Sequence, residues 1–126
     1  MTARCNAHGV YEADEVLQLA RPLKGWRGGP IAEVCLANLG THWIWATSYQ
    51  LWTGDCCGSS SPLMDMEPTP FSTCRAPTRQ AAIELASAQL RKSLTPRAAE
   101  CRDARAVLEW LDTLTPDQFD LFGAAA

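Results

Sequence analysis

Positive charge is missing from the middle of this sequence, because no Lys or Arg occurs anywhere between Gly28 and Phe71. The same stretch contains four acidic residues and three of the five Trp residues, and the whole chain has a net charge of −3. Proteins that bind single-stranded nucleic acid combine aromatic side chains with Lys or Arg, and duplex-binding proteins show a basic surface. The charge pattern therefore argues against direct nucleic-acid binding and favours a protein partner.

Long apolar runs are also absent. No stretch approaches the roughly 18 apolar residues of a membrane-spanning helix, and Met1–Asn6 is too polar for a secretory signal. We therefore expect a cytoplasmic protein that does not associate with membranes. Its six Cys residues are then reduced thiols. Among them, Cys35 and Cys101 have the apolar surroundings of small core residues.

Cys and His do not form a recognisable catalytic or metal-binding motif. An activated thiolate needs a neighbouring cation or a helix N-terminus, and Cys74 fits best because Arg75 follows it. Tetrahedral zinc would need four ligands. The chain offers one C-x2-H pair and two adjacent Cys, but no C-x2-C pair. A zinc- or thiol-dependent protein would use Cys5, His8, Cys56, Cys57 and Cys74. We instead expect a non-enzymatic protein with no catalytic residue, no bound metal and no cofactor.

Hydrophobic periodicity predicts a β-hairpin. Residues 42–52 carry Trp, Trp, Thr, Tyr and Leu at the odd positions, a period-2 pattern typical of a strand with one face on the core. The even positions are mixed and should point outward. Residues 31–39 form the partner strand, Gly54–Pro62 has the composition of a loop, and Leu63–Met66 is a candidate third strand.

Helix signals surround this hairpin. Thr78 is the expected N-cap of a helix that runs to Ser93, and Thr95-Pro96 starts a second helix that ends near Asp112. Tyr11–Ala20 is predicted to be a short amphipathic helix with its acidic residues in the first turns.

These elements predict an α+β fold. A small antiparallel sheet, formed by the Trp-rich hairpin and the short strand, is packed by the 78–93 helix, with an N-terminal helix and C-terminal helices around it. Residues 1–114 are expected to form a single domain, and residues 115–126 to form a C-terminal interaction segment.

The strongest functional clue is the sequence Gln-Phe-Asp-Leu-Phe at positions 118–122. It resembles the linear motif with which bacterial proteins bind the replicative sliding clamp, commonly Gln-Leu-Ser/Asp-Leu-Phe. In such a motif the Gln amide forms hydrogen bonds at the rim of a groove, and Leu and Phe fill an apolar pocket. The resemblance implies a sliding clamp as partner and the contact residues Gln118, Phe119, Asp120, Leu121 and Phe122, of which only Phe119 departs from the common pattern.

The same segment also fits a helix that packs on the domain. Thr115 has the position of an N-cap, Pro116 that of the first turn, and Gln118 that of the third residue in a capping box. Phe119, Leu121 and Phe122 would then be core residues. The sequence leaves both interpretations open.

The order of motifs further resembles small accessory proteins encoded by bacterial plasmids and phages. The residues that carry this resemblance are Gly29-Pro30, Trp43, Trp45, Gly58–Pro62 and Arg79–Ala82. It implies a protein-binding accessory factor of a mobile element that docks on a host protein complex, with the sliding clamp as the named partner. The alternative is an anti-CRISPR or anti-restriction inhibitor of a host defence nuclease complex, which fits the small size and acidic balance.

Overall fold

A computed structural model describes residues 5–21, 29–52, 56–67, 69 and 73–114, with the backbone alone at 52, 56 and 57. Its elements in chain order are strands β1 (Glu15–Leu19), β2 (Ala32–Asn38), β3 (Trp43–Trp52), β4 (Cys56–Ser60) and β5 (Arg75–Ala76), helix α1 (Arg79–Leu94), a 3-10 turn (Thr95–Arg97) and helix α2 (Arg102–Leu114). The α+β class and the small antiparallel sheet expected from the sequence are confirmed.

The sheet is antiparallel with strand order β1-β2-β3-β4, and β5 pairs with the first two residues of β3. Because β2 occupies one side of β3, β4 and β5 share the other side, β4 at Ser48–Trp52 and β5 at Trp43–Ile44. Loop residues fill the interval between them. The Trp45 amide donates to the Cys74 carbonyl at 3.1 Å, and the Ser61 amide donates to the Thr47 carbonyl at 3.1 Å. This edge of the sheet is therefore interrupted.

The main core lies between the sheet and the two helices. It contains Leu36, Trp45 and Leu51 from the sheet together with Ile83 and Leu90 from α1, and Trp43 and Tyr49 pack at its margin. The odd positions of β3 thus face the core under α1, as their period-2 pattern predicts.

The prediction that the even positions of β3 face outward is wrong for Ile44 and Ala46. Both are buried in a second cluster with Leu63, and Tyr11 and Ala13 pack against that cluster. The chain before β1 and the residues after β4 cover this face, so β3 is buried on both sides near its start. A strand sequence alone does not reveal a cover supplied by distant segments.

The predicted helix at Tyr11–Ala20 is also wrong, because Glu15–Leu19 forms β1 and pairs with β2. Leu17 and Leu19 pack against the main core, whereas Val16 is exposed. The apolar residues Val16, Leu17 and Leu19 are compatible with a short helix or with a strand. Pairing with β2 stabilises the strand.

Three further boundaries differ from the prediction. The expected loop Gly54–Pro62 contains strand β4, and the expected strand Leu63–Met66 is reduced to one bridge between Met64 and Val10. The second helix begins at Arg102 because residues 95–100 form the 3-10 turn and a further turn. Edge strands of small residues carry weak local signals, so β4 depends on pairing with β3.

Helix starts agree better with the sequence. The Thr78 hydroxyl accepts the Ala81 amide at 3.1 Å and caps α1 as predicted. The buried Cys101 sulfur accepts the Ala104 amide at 3.4 Å, so this predicted core thiol also satisfies a donor in the first turn of α2. Among the described residues, no helix is long and apolar enough to cross a membrane.

Two ion pairs attach β1 to the helices. The Glu15 carboxylate accepts hydrogen bonds from Nε and Nη2 of Arg79, at the start of α1. At the other end of β1, Arg21 Nη1 lies 3.0 Å from Asp103 Oδ2 in the first turn of α2. The side chains of Arg21 and Asp103 are only 7% and 12% exposed, so this second pair is largely shielded from water.

Candidate functional site

The interruption between β4 and β5 opens into an apolar cavity of about 190 Å³, which we call the edge notch. Its wall and floor are formed mainly by Trp45, Pro62, Met64, Met66, Cys74 and Gln89. These residues come from β3, from the loops before and after the interruption, and from α1. The edge notch therefore exists only because neither β4 nor β5 covers the middle of β3.

Trp45 belongs to both the main core and the edge notch. Its side chain is 7% exposed, and its indole nitrogen has no hydrogen-bond partner among the described residues. At the rim, the Thr47 hydroxyl donates to the Gln89 side-chain oxygen at 2.9 Å, which fixes α1 against β3. One side of the notch is thus held by the rigid sheet and helix.

The other side of the notch is the loop that carries Met64 and Met66. The Cys74 thiol donates to the Met64 carbonyl at 3.1 Å and so holds the loop against the chain that leads into β5. Met66 is 57% exposed, so its side chain is accessible from solvent. Methionine is flexible and polarizable, so this wall can adapt to an apolar or aromatic side chain.

An ion cluster fixes the same loop from behind. Asp65 Oδ1 lies 2.9 Å from His42 Nε2 and 2.7 Å from Arg75 Nε, and Arg75 Nη2 lies 3.6 Å from Glu67. Burial alone would raise the pKa of Asp65, but the hydrogen bonds from His42 and Arg75 outweigh it and hold that pKa below its ordinary value of 3.8. Asp65 therefore stays ionised at neutral pH and connects the loop to His42, just before β3, and to Arg75 of β5.

The thiols named in the zinc or thiol alternative are not brought together where the structure describes them. Cys5 is exposed in the first segment, Cys74 is engaged with Met64, and His8 is exposed. Within the described ranges, no group of three or more His, Cys, Asp or Glu side chains is arranged to hold a metal ion. The side chains of Cys56 and Cys57 lie outside these ranges.

Cys35 shows why a half-buried thiol of this protein is a poor nucleophile. Burial, the nearby Glu33 carboxylate and a 3.4 Å hydrogen bond to Glu33 together raise the pKa of Cys35 to about 12. At neutral pH it is therefore a neutral thiol, which agrees with the structural role expected for it.

A second concavity of about 450 Å³ lies on the open face of the sheet. It is shallow, and Glu33, Ser48, Gln50 and Ser60 are among the residues that line it. The Glu33 carboxylate already accepts the Gln18 amide at 2.8 Å. Because this concavity is open to solvent and the edge notch is more enclosed, the edge notch is the better anchor site for an apolar side chain.

The predicted contact residues Gln118, Phe119, Asp120, Leu121 and Phe122 lie outside the described residues. The nearest described position before them is Leu114, where α2 ends. Arg91 Nη2 of α1 lies 2.5 Å from Asp112 Oδ1 of α2, which places the end of α2 beside the second half of α1. Gln89 and Arg91 lie about 200° apart around α1, so the edge notch and the end of α2 lie on opposite flanks of this helix.

The sequence prediction did not include the edge notch. Met64, Met66 and Cys74 belong to segments that contain Pro and have no clear periodicity. The one sequence signal for the notch is the presence of apolar residues in a Pro-containing loop, where side chains are commonly exposed.

Comparisons with protein families, with curated proteins and with solved structures find no match to this chain. A fold class alone does not specify an activity.

Proposed function

We propose that this protein is a non-enzymatic, cytoplasmic accessory factor of a bacterial mobile element that acts by docking on a host protein complex. The segment Gln118–Phe122 would provide the contact, and the replicative sliding clamp is the proposed partner. The observation that carries the proposal is the match of four of the five motif positions.

The position of the segment relative to the domain supports this proposal. Leu111 is fully buried and Asp112 bonds Arg91, so α2 is fixed on the domain up to its last turn. Only three residues separate Leu114 from Gln118, and an extended chain spans at most about 14 Å over that interval. Binding of the motif would therefore hold the domain close to the clamp, where it could obstruct other clamp-binding proteins.

Direct binding to purified bacterial clamp tests the proposal. We expect the intact chain to bind and the double variant Leu121→Ala/Phe122→Ala to lose at least about 30-fold in affinity, because anchor side chains contribute about 2 kcal/mol or more each. Leu85→Ala is the matched control, since it shortens an exposed Leu on α1. Absence of binding by the intact chain, or equal affinity of the intact chain and the double variant, refutes the clamp as partner.

The second proposal is inhibition of a host defence nuclease, either a CRISPR or a restriction complex. It is favoured by the stretch from Gly28 to Phe71, which has acidic residues and no Lys or Arg. Within it, Glu67 has a 90% exposed side chain, and Glu33 lies on the open sheet face. Such a surface is complementary to the basic grooves with which nucleases hold nucleic acid.

Cells that carry one defined CRISPR or restriction system test this alternative. Expression of the chain should protect incoming phage DNA, and Glu33→Lys/Glu67→Lys should reduce protection because it reverses charge on the two acidic surfaces. Protection in none of a panel of systems, or protection unchanged by the charge reversal, contradicts the proposed role of this surface.

A further inference from the structure

We propose that the edge notch is the intramolecular docking site for the Phe122 ring, so that the chain withholds its own partner-binding segment. The proposal rests on the proposed function in one respect: the partner from which the docked segment is withheld is the sliding clamp. It concerns a site at the interrupted sheet edge and an occupant that belongs to the same chain.

The size of the edge notch matches one aromatic ring. Its volume is about 190 Å³. An apolar protein cavity of roughly 150 Å³ accommodates benzene. The notch therefore holds one phenyl ring and leaves the rest of the segment at the rim, where Thr73 and Gln89 offer hydrogen-bonding groups.

The chemistry of the lining also favours an aromatic occupant. Met64 and Met66 place two thioethers along one wall, and sulfur makes favourable contacts with aromatic rings. Trp45 contributes an indole ring to the same cavity, and aromatic pairs gain energy beyond the area that they bury. A charged or purely polar side chain would find no counter-charge inside this lining except Glu67 at its rim.

The length of chain after α2 is sufficient for Phe122 to reach the edge notch, and the longer reach of Phe122 favours it over Phe119. Gln89 at the notch is two residues from Arg91, which bonds Asp112, and Asp112 is two residues from Leu114. Helix geometry and the length of an Arg side chain put Leu114 within about 20 Å of Gln89. An extended chain reaches about 17 Å over the five residues to Phe119 and about 27 Å over the eight residues to Phe122.

Docking of Phe122 would lower the apparent affinity for a partner. The Phe and Leu side chains anchor such motifs, so a docked ring cannot enter a partner pocket at the same time. The apparent dissociation constant then rises by the inverse of the fraction of molecules in which the notch is empty. The edge notch and the partner would compete for one side chain.

Methyl NMR of the full chain with ¹³C-labelled Met tests this directly. The chain has three Met residues, so Met64 and Met66 report on the notch and Met1 is an internal reference. We expect nuclear Overhauser contacts between a Phe ring and the Met66 methyl in the unmodified chain. Phe122→Ala should remove these contacts and shift the Met64 and Met66 methyl resonances.

Phe119→Ala is the matched control, because it removes the other ring of the segment. It should leave the contacts and resonances of Met64 and Met66 unchanged. If Phe119→Ala removes the contacts instead, or if the unmodified chain shows none, the proposal is overturned. Contacts that appear between differently labelled copies in a mixed sample would assign the notch to a second copy and also overturn it.

The result is independent of the clamp. Contacts with Phe122 in a chain that binds no clamp would sustain intramolecular docking and refute the proposed partner. Clamp binding by a chain without these contacts would support the clamp as partner and refute intramolecular docking. The NOE measurement on the unmodified chain needs no substitution, so a variant that fails to fold leaves the proposal testable.

Discussion

Gly58 of β4 is a position at which one added carbon should destabilise the sheet. A Cβ at this position would lie 2.6 Å from the Tyr49 carbonyl oxygen and 3.3 Å from the Gln50 Cα. Both atoms belong to the backbone of β3, so no flexible side chain can move away. Gly58→Ala therefore requires β4 to shift relative to β3, where it pairs with Gln50.

The size of the effect follows from this contact. Forcing an extra carbon into a closely packed site costs about 1–3 kcal/mol, and an unyielding backbone neighbour favours about 2 kcal/mol. For a domain of this size, that loss lowers the melting temperature by roughly 8 °C. Urea denaturation and thermal melts monitored by circular dichroism would measure it, with an unchanged denaturant slope as evidence that only stability has changed.

Gly29 provides the matched control on a neighbouring part of the same surface. A Cβ there would meet no heavy atom of the described residues within 4 Å beyond its chain neighbours. Gly29→Ala should therefore change stability by less than about 0.5 kcal/mol, or raise it slightly by restricting the unfolded chain. Equal stabilities of the two variants would refute the packing of β4 on β3 that is described above.

Three other predictions follow from the ion pairs and thiols. Asp103→Asn should cost about 3 kcal/mol in chemical denaturation, because it removes the carboxylate facing the largely buried guanidinium of Arg21. The pKa of Asp65 is held below 3.8 in the folded state, so its stabilising contribution is complete above that pH and is lost as pH falls through the lower, folded-state pKa. Melts between about pH 6 and 2 should show the difference between the unmodified chain and Asp65→Asn shrinking at the acid end. With iodoacetamide at pH 8, Cys35 should be alkylated at least about tenfold more slowly than the exposed Cys5, as read by peptide mass spectrometry.

Each of these predictions has a control in the chain. Asp112→Asn breaks the exposed pair with Arg91 and should cost less than about 1 kcal/mol, so an equal loss in Asp103→Asn would contradict the importance of burial. A pH-independent effect of Asp65→Asn would show that the carboxylate charge is not what stabilises the loop. Equal alkylation rates at Cys35 and Cys5 would contradict the half-buried, neutral state of the Cys35 thiol.

The elements with strong local signals could be predicted from the sequence. Thr78 begins α1 because a hydroxyl at the N-cap satisfies a free amide, and this interaction needs no distant partner. The alternation of β3 likewise records its contact with the main core. Local chemistry and tertiary packing agree at these positions.

Elements that depend on distant segments could not be predicted in this way. β4 has the sequence Cys-Cys-Gly-Ser-Ser, which lacks β-branched and aromatic residues, so pairing with β3 alone makes it a strand. Ile44 is buried on the second face because Leu63 covers it. The edge notch has the same origin, since it is the space left between two strands whose positions the sequence does not reveal.

At the interrupted edge, backbone amides of β3 should exchange their hydrogen with solvent by a different route from amides that bond another strand. The Trp45 amide bonds the carbonyl of Cys74, and the Thr47 amide bonds the Ser61 hydroxyl at 3.2 Å, so both bond residues outside any strand. Opening of this loop releases the Trp45 amide without separating two strands, which requires less free energy than global unfolding. A side chain bound in the edge notch would oppose this opening. Occupancy of the notch should therefore slow hydrogen exchange of the Trp45 amide.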